Sequence, residues 1–218
     1  MDLYFSPMAC SLATRIALYE AGAQARYLQV DTRSKQLVGE GSEGSDYRAV
    51  APLGQVPALR TDDGMLLTEN AAVLQYVAER FPQAALLPPE GSERARLRQW
   101  LGFIGTELHK ALFVPLLDPQ AGAEVRAYAK DHAALRLGLL QDHFSSHEYL
   151  LAQYSVADAY LVAVLNWAPF ADVDLAAWPA VQQYHRRLVK RPQVARAMAE
   201  EFELYKQQQA RRHAAVPA

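Results

Sequence analysis

A single cysteine, Cys10, stands in 218 residues, so no intramolecular disulfide can form. The chain also lacks an excess of either charge: 22 Lys and Arg face 24 Asp and Glu, for a formal charge of −2. A dedicated nucleic-acid binder carries a basic surplus, so nucleic acid is excluded as the expected partner. Long apolar runs are missing too. The stretch from Ala159 to Ala171 falls well short of the roughly 20 residues a membrane helix needs, so no membrane span is expected. The opening Met-Asp-Leu-Tyr-Phe-Ser-Pro has neither the basic region nor the apolar core of a secretory leader, and a cytoplasmic location is the expectation. What is present is ordinary globular composition, 51% hydrophobic and 21% charged, in a length that suits one large or two small domains.

The chain changes character near residue 85. Before it, short β-rich runs at Leu3–Phe5, Tyr27–Val30, Val56–Leu59 and Met65–Leu67 read as four strands. Asp62-Asp63-Gly64 marks a hairpin between the last two. Leu12, Ile16 and Tyr19 recur at helical spacing between the first two strands, and Gly22 sits where that helix should stop. A crossover helix favours a parallel pair and the Asp-Gly turn an antiparallel one, which predicts a mixed four-stranded sheet. A further helix is expected from about Ala71 to Arg80. Residues 1–81 thus form an α/β unit, 82–91 a Pro- and Gly-containing linker, and 92–206 an all-helical bundle. Leu97, Trp100, Leu101, Ile104 and Leu108 mark one long helix of that bundle, and Val125, Tyr128, His132, Leu135 and Leu139 a second. Ala157–Ala168, apolar all round, predicts a buried central helix, and Ser155 with Asp158 a capping box at its start. Val38–Asp46 reads as a polar loop, and 207–218 as a frayed tail.

Three features carry chemistry. Cys10 lies five residues after the first strand, at the start of the first helix, where unpaired amides and the helix dipole favour a thiolate. An inert buried thiol is the alternative. Ala13 occupies the place of a Cys-x-x-Cys partner, so a redox cycle would need a thiol from outside, such as glutathione. Pro57 interrupts an apolar strand. Either a cis Val56–Pro57 bond presents Val56 backbone groups to an extended peptide, or Pro57 is an ordinary edge-strand proline. Thr68-Glu69-Asn70 opens a helix. It could hold a free α-amino acid group, amine on Glu69 and carboxylate on the amides, or simply cap the helix. His143 and His147 stand at helical spacing without a third ligand in sequence, so no metal site is expected.

In order and spacing, the run Phe5-Ser6-Pro7-Met8-Ala9-Cys10-Ser11-Leu12 and the segments Gly54–Leu59, Leu67–Glu69, Glu107–Lys110 and Ser155–Tyr160 resemble the cytosolic glutathione transferases, bacterial beta class, over about residues 1–205. The resemblance implies a thioredoxin-like N-terminal domain, an all-helical C-terminal domain, a homodimer, and glutathione as co-substrate without a metal. It implies that Cys10 contacts or bonds the glutathione sulfur and that Val56, ahead of Pro57, pairs with the cysteinyl backbone. Glu69 and Asn70 would hold the γ-glutamyl end, Lys35 the glycine carboxylate, and His109 and Lys110 would enter from the helical domain. Cys10 and His109 are then the expected catalytic pair, and Met8, Phe113 and Trp167 the expected lining of the second-substrate pocket. Phe5, Met8, Ala51 and Asn70 depart from the residues usual at these positions, so the second substrate is not implied.

The activity implied is conjugation of glutathione to small hydrophobic electrophiles, a detoxification reaction, with glutathione-dependent thiol–disulfide exchange through Cys10 beside it. The alternative is a non-catalytic binding or regulatory module of the same fold. The presence of Cys10, Lys35, Glu69 and His109 argues against that alternative, because a purely structural module needs none of them.

Overall fold

The computed structural model describes residues 1–39 and 44–214. Strands β1 (Asp2–Phe5) and β2 (Arg26–Asp31) pair in parallel, with Leu3 opposite Tyr27, and helix α1 (Leu12–Glu20) makes the crossover. Side chains alternate across β1. Leu3 and Phe5 join Leu12 and Ile16 of α1 in the main core, while Tyr4 packs on the other face with Val30, Tyr47 and Ala58. The chain leaves α1 through Gly22 at φ +63°, where the Ala23 amide reaches back to the Leu18 carbonyl.

The sheet has five strands, not four, in the order β3-β2-β1-β4-β5. The additional strand is β3 (Gln36–Val38), which pairs antiparallel with β2. It overlaps the start of the expected loop Val38–Asp46. The Leu37 amide donates to the Ser45 carbonyl and Gln36 bridges Asp46, so the chain turns back on itself there; residues 40–43 of that loop lie outside the described residues. Three residues with one Leu and one Val give too weak a pattern to be read as a strand alone. β4 (Ala58–Arg60), antiparallel to β1, and β5 (Leu66–Thr68), antiparallel to β4, complete the sheet, and the Val56–Pro57 bond before β4 is cis. Pro57 thus precedes the ladder instead of interrupting it. Helix α2 (Asn70–Arg80) follows, burying Val73, Leu74 and Val77.

Past the linker, α3 (Ser92–Phe103) runs without a break into a π-helical segment, Ile104–Phe113, and on into α4 (Val114–Leu117). The Val114 amide bonds the His109 carbonyl five residues back. Such wide turns are rare and recur at functional sites. The second long helix is instead two, α5 (Ala123–Asp131) and α6 (Ala133–Phe144), separated at His132. The residues whose spacing marks that helix point outward: Val125, Tyr128, Leu135 and Leu139 are 51%, 62%, 77% and 48% exposed. Ala129, Ala133, Leu137 and Leu140 are the buried ones. Helical spacing reports that a face is apolar, not that its cover belongs to the same chain.

Helix α7 (Val156–Leu165) is buried along its whole length, as its composition predicts. The Asp158 carboxylate at its start accepts from the amides of Leu150 and Ser155 and from the hydroxyls of Ser155 and Tyr184, all within 3.0 Å. Four donors satisfy a carboxylate shut off from the surface. After α8 (Pro179–Leu188), helix α9 (Pro192–Ala214) continues well past the expected frayed end at 207. Gln208 is buried, and Arg212 pairs with Asp31 of β2 at 3.0 Å.

Helix α9 also locks the two halves together. Glu201, fully buried, accepts from the Arg15 guanidinium at 2.9 Å and from the Met8 amide at 2.8 Å. Arg15 lies between the rings of Phe5 and Tyr27, 4.4 and 4.1 Å from their centroids. The Trp167 indole N–H donates to the Met8 carbonyl at 2.9 Å. Both backbone groups of Met8, two residues before Cys10, are therefore held by the helical half. Among the described residues, no helix is long and apolar enough to cross a membrane.

Candidate active site

A cavity of about 440 Å³ opens where the sheet edge meets the π-helical segment. The turn after β1 brings Cys10 to it, the cis-proline turn brings Val56 and Pro57, the start of α2 brings Glu69 and Asn70, the π-helical segment brings His109 and Lys110, and α7 brings Tyr160. Of the eight residues expected to hold glutathione, seven line this one cavity. Lys35 stands behind it, its ammonium on the Gly54 carbonyl at 3.0 Å. Gly54, at φ +59°, makes that approach possible, since a Cβ there would lie 2.7 Å from Lys35 Cδ.

Cys10 departs from the expected thiolate. It precedes α1 by two residues, is 8% exposed, and its Sγ donates to the Val56 carbonyl at 3.1 Å. Burial pushes the thiol up to about 12, against the pull of the Lys110 ammonium. Loss of hydration outweighs the helix terminus, and at neutral pH the group is a thiol. Val56 presents its carbonyl at the cavity as expected, but already shares it with Cys10.

Helix α2 opens at Glu69, which has φ +63° and makes no side-chain capping bond. Asn70 is buried, and its amide NH₂ donates to the Cys10 carbonyl at 2.9 Å while its oxygen faces the Thr14 hydroxyl at 3.4 Å. The Asn70 side chain thus braces the Cys10 turn and is spent within the protein. Its main-chain amide, in the first turn of α2, belongs to the group without an intrahelical acceptor.

His109 is 9% exposed, and its Nδ1 lies 2.7 Å from the Tyr160 hydroxyl. The Trp167 ring packs edge-on against it, 5.0 Å between centroids. Burial, helped by the neighbouring Lys110 charge, lowers its pKa to about 4, so the imidazole is neutral at pH 7. Tyr160 was legible only as part of a motif. A tyrosine in an otherwise apolar buried helix was the available signal, because its hydroxyl must find a partner there.

The expected second-substrate lining is divided by the structure. Met8 and Trp167 line a separate cavity of about 510 Å³, together with Phe170, Met198, Phe202 and Tyr205. Phe113 does not. It is fully buried, 6.1 Å from the Trp167 ring, because the π-helical segment turns it toward the core. Phe202 and Tyr205 come from α9, within the stretch 92–206 that the residue pattern marks only as helical bundle. A larger cavity, about 700 Å³, lies at the linker by Glu79, Arg94 and Tyr154, away from Cys10 and His109. Among the described residues, no group of three or more His, Cys, Asp or Glu is placed to hold a metal ion; His143 and His147 stack on each other at 4.4 Å.

A thioredoxin-like sheet joined to a helical bundle, with a cysteine, a histidine and a cis-proline turn around one cleft, defines a thiol-handling transferase. The chain matches the glutathione S-transferase N-terminal domain over residues 7–80 and the glutathione S-transferase C-terminal domain over residues 106–192. It is 37% identical over 92% of its length to glutathione S-transferase GstA of Escherichia coli O157:H7, covering 98% of that protein. A sphingomonad glutathione S-transferase solved with glutathione is 41% identical, with a TM-score of 0.86 over 92% of this chain and 98% of that one. The beta-class enzyme of Sphingomonas chungbukensis gives the same identity, TM-score and coverage. The chain belongs to the glutathione S-transferases, and its near structural relatives are the bacterial beta class.

Proposed function

We propose that this protein binds glutathione in the Cys10–His109 cavity and conjugates its sulfur to a small apolar electrophile lodged beside it. The observation that carries the reading is the gathering of Cys10, Val56, Glu69, Asn70, His109 and Lys110 around one cavity that continues the sheet edge. Glu69 takes the γ-glutamyl ammonium and the first amides of α2 its carboxylate; Val56 pairs with the cysteinyl backbone; Lys35, released from Gly54, reaches the glycine carboxylate. The sulfur comes to His109 and Lys110, whose N–H donor and positive charge favour its thiolate. The thiol proton passes to solvent, the thiolate forms the new C–S bond, and the electrophile's leaving group departs with its electron pair. Met8, Trp167 and the α9 aromatics receive the electrophile's apolar body.

Thiol–disulfide exchange through Cys10 is the second reading, supported by the presence of its sulfur in the same cavity. With the thiol raised to about 12, Cys10 at pH 7 is a poor attacking group and a slow one. Conjugation is therefore the main reaction, and it serves detoxification in the cytoplasm. The exposed row Val125, Tyr128, Leu135 and Leu139 suits a homodimer contact. Calorimetric titration with glutathione, followed by a conjugation assay with a chloronitroarene, tests the main reading. Micromolar to millimolar binding and measurable turnover are expected; no binding and no turnover would end it. Sedimentation of the native protein tests the dimer.

A further inference from the structure

Along helix α9 the lining of the second cavity changes character. Met198, Phe202 and Tyr205 are followed on the same wall by Gln208 and Arg212. Residues four apart on a helix are neighbours, so Gln208 and Arg212 form one polar patch beyond the aromatics. Among the described residues, Arg212 is the only charged residue that lines this cavity, and no Asp or Glu does. Asp31 of β2 accepts from Nη2 and Nε of Arg212, at 3.0 and 3.4 Å, and leaves Nη1 outside the pair. The Gln208 side chain is 3% exposed, and its amide nitrogen has no hydrogen-bond partner among the described residues. Asn166, 8% exposed, lines the same cavity from just past α7. Its oxygen is spent on His185 Nε2 at 2.7 Å, and its nitrogen likewise lacks a partner among the described residues. Buried polar groups are nearly always paired, because an unmet one is costly. Around this apolar cavity the unmet groups are donors, and a guanidinium can only donate.

We propose that the electrophile conjugated by this protein is an aromatic that carries a carboxylate. Its ring lies among Trp167, Phe202 and Tyr205, and its carboxylate takes the amide of Gln208 and the free Nη1 of Arg212, while Asn166 donates to a further oxygen on the ring. This rests on the conjugation reading. Met8 and Ala9, the two residues before Cys10, line the cavity as well, and Trp167 packs against His109, so a ring seated there adjoins the glutathione site. Gln208 and Arg212 do not line the Cys10 cavity, so they select the second substrate and not glutathione. An anionic oxygen makes the stronger bond with such donors, which favours the carboxylate over a neutral acceptor.

Three chloronitroarenes that differ only in the group para to chlorine test this: 4-chloro-3-nitrobenzoate, 4-chloro-3-nitrobenzotrifluoride and 4-chloro-3-nitrobenzylamine. Dividing each kcat/KM by the uncatalysed rate with glutathione at the same pH removes intrinsic reactivity. The benzoate should then exceed the trifluoride by about tenfold, the worth of one hydrogen bond to a charged group, and the benzylamine should rank last. In Gln208→Leu, close in volume and without the donor, and in Arg212→Gln, the benzoate-to-trifluoride ratio should fall about fivefold or more. Any effect of either change on activity as a whole cancels in that ratio. A wild type that does not favour the benzoate, or a ratio unmoved in both variants, overturns the proposal and leaves the conjugation reading intact. If none of the three arenes is conjugated, that reading falls, and binding still judges the site. Under that outcome 4-methyl-3-nitrobenzoate, which has no leaving group, should quench tryptophan fluorescence with a Kd about tenfold higher in Gln208→Leu than in wild type; equal values would sink the proposal.

Discussion

On the sheet side, the Cys10 cavity is lined by Val56, whose carbonyl accepts from Cys10, by Asn70, whose side chain is spent on Cys10 and Thr14, and by Glu69; on the helical side it is lined by His109, Lys110 and Tyr160. The difference divides the labour. Backbone groups neither titrate nor swing away, so under the proposed function the sheet wall would set where a peptide-like ligand lies and which way it runs. Side chains carry charge and exchangeable protons, so the helical wall would set what its sulfur becomes. Cys10 belongs to the first wall by position and, as a buried thiol bonded to Val56, behaves like part of it.

The comparison breaks most completely if the helical wall loses its foundation. Asp158→Ala leaves four buried donors without an acceptor and should destabilise the fold by about 3–5 kcal/mol, read as a lower urea midpoint with unchanged slope. If stability barely changes, Asp158 is not what seats α7.

Next come the two sulfur-handling residues. His109→Ala removes a donor to a charged acceptor, a loss of about 1.5–3 kcal/mol in kcat/KM for conjugation. Cys10→Ala should keep most conjugating activity and lose any mixed disulfide seen by intact mass after treatment with oxidised glutathione. A Cys10→Ala protein that no longer conjugates would move the chemistry to the sheet wall and dissolve the division.

Acid provides a subtler probe. His109 and His185 have folded pKa values lowered by burial to about 4, so between roughly pH 6.5 and 4 the unfolded chain binds protons that the fold refuses. Each histidine then costs stability as pH falls through that window, roughly 2 kcal/mol by pH 4.5. Glu201, raised by burial to about 7, acts in the opposite sense, losing stability as pH rises toward 7. His185→Gln, which keeps a donor for Asn166, isolates one histidine: the wild type should lose more stability on acidification than the variant. Parallel curves would mean His185 titrates normally. The smallest effect expected is Ser155→Ala, about 0.5–2 kcal/mol in stability with turnover per folded molecule unchanged.

Much of the sheet wall was legible because its pieces are local. Cys10 follows β1 by a few residues, Pro57 stands immediately before β4, and Glu69-Asn70 opens α2, so each motif places its own backbone. The helical wall was legible only as residue types at a spacing. His109 and Lys110 could be named, but the partner that orients His109 lies 51 positions away on α7. The Cys10 pKa was misread for a related reason. A position before a helix is visible in sequence, whereas the burial that overrides it comes from the cis-proline turn and the helical half packed above.

Residue pattern alone determined the switch from β-rich to helical near residue 85, the parallel β1–β2 pair, the buried α7 and its cap, and the family resemblance. Each follows from neighbours within a turn or two, where spacing dictates backbone geometry. Tertiary structure decided the fifth strand, the outward face of α5 and α6, the removal of Phe113 from the second cavity, and the protonation of Cys10 and His109. These depend on which surfaces are covered, and water excluded by a distant segment changes what a side chain can be without leaving any mark on the residues beside it.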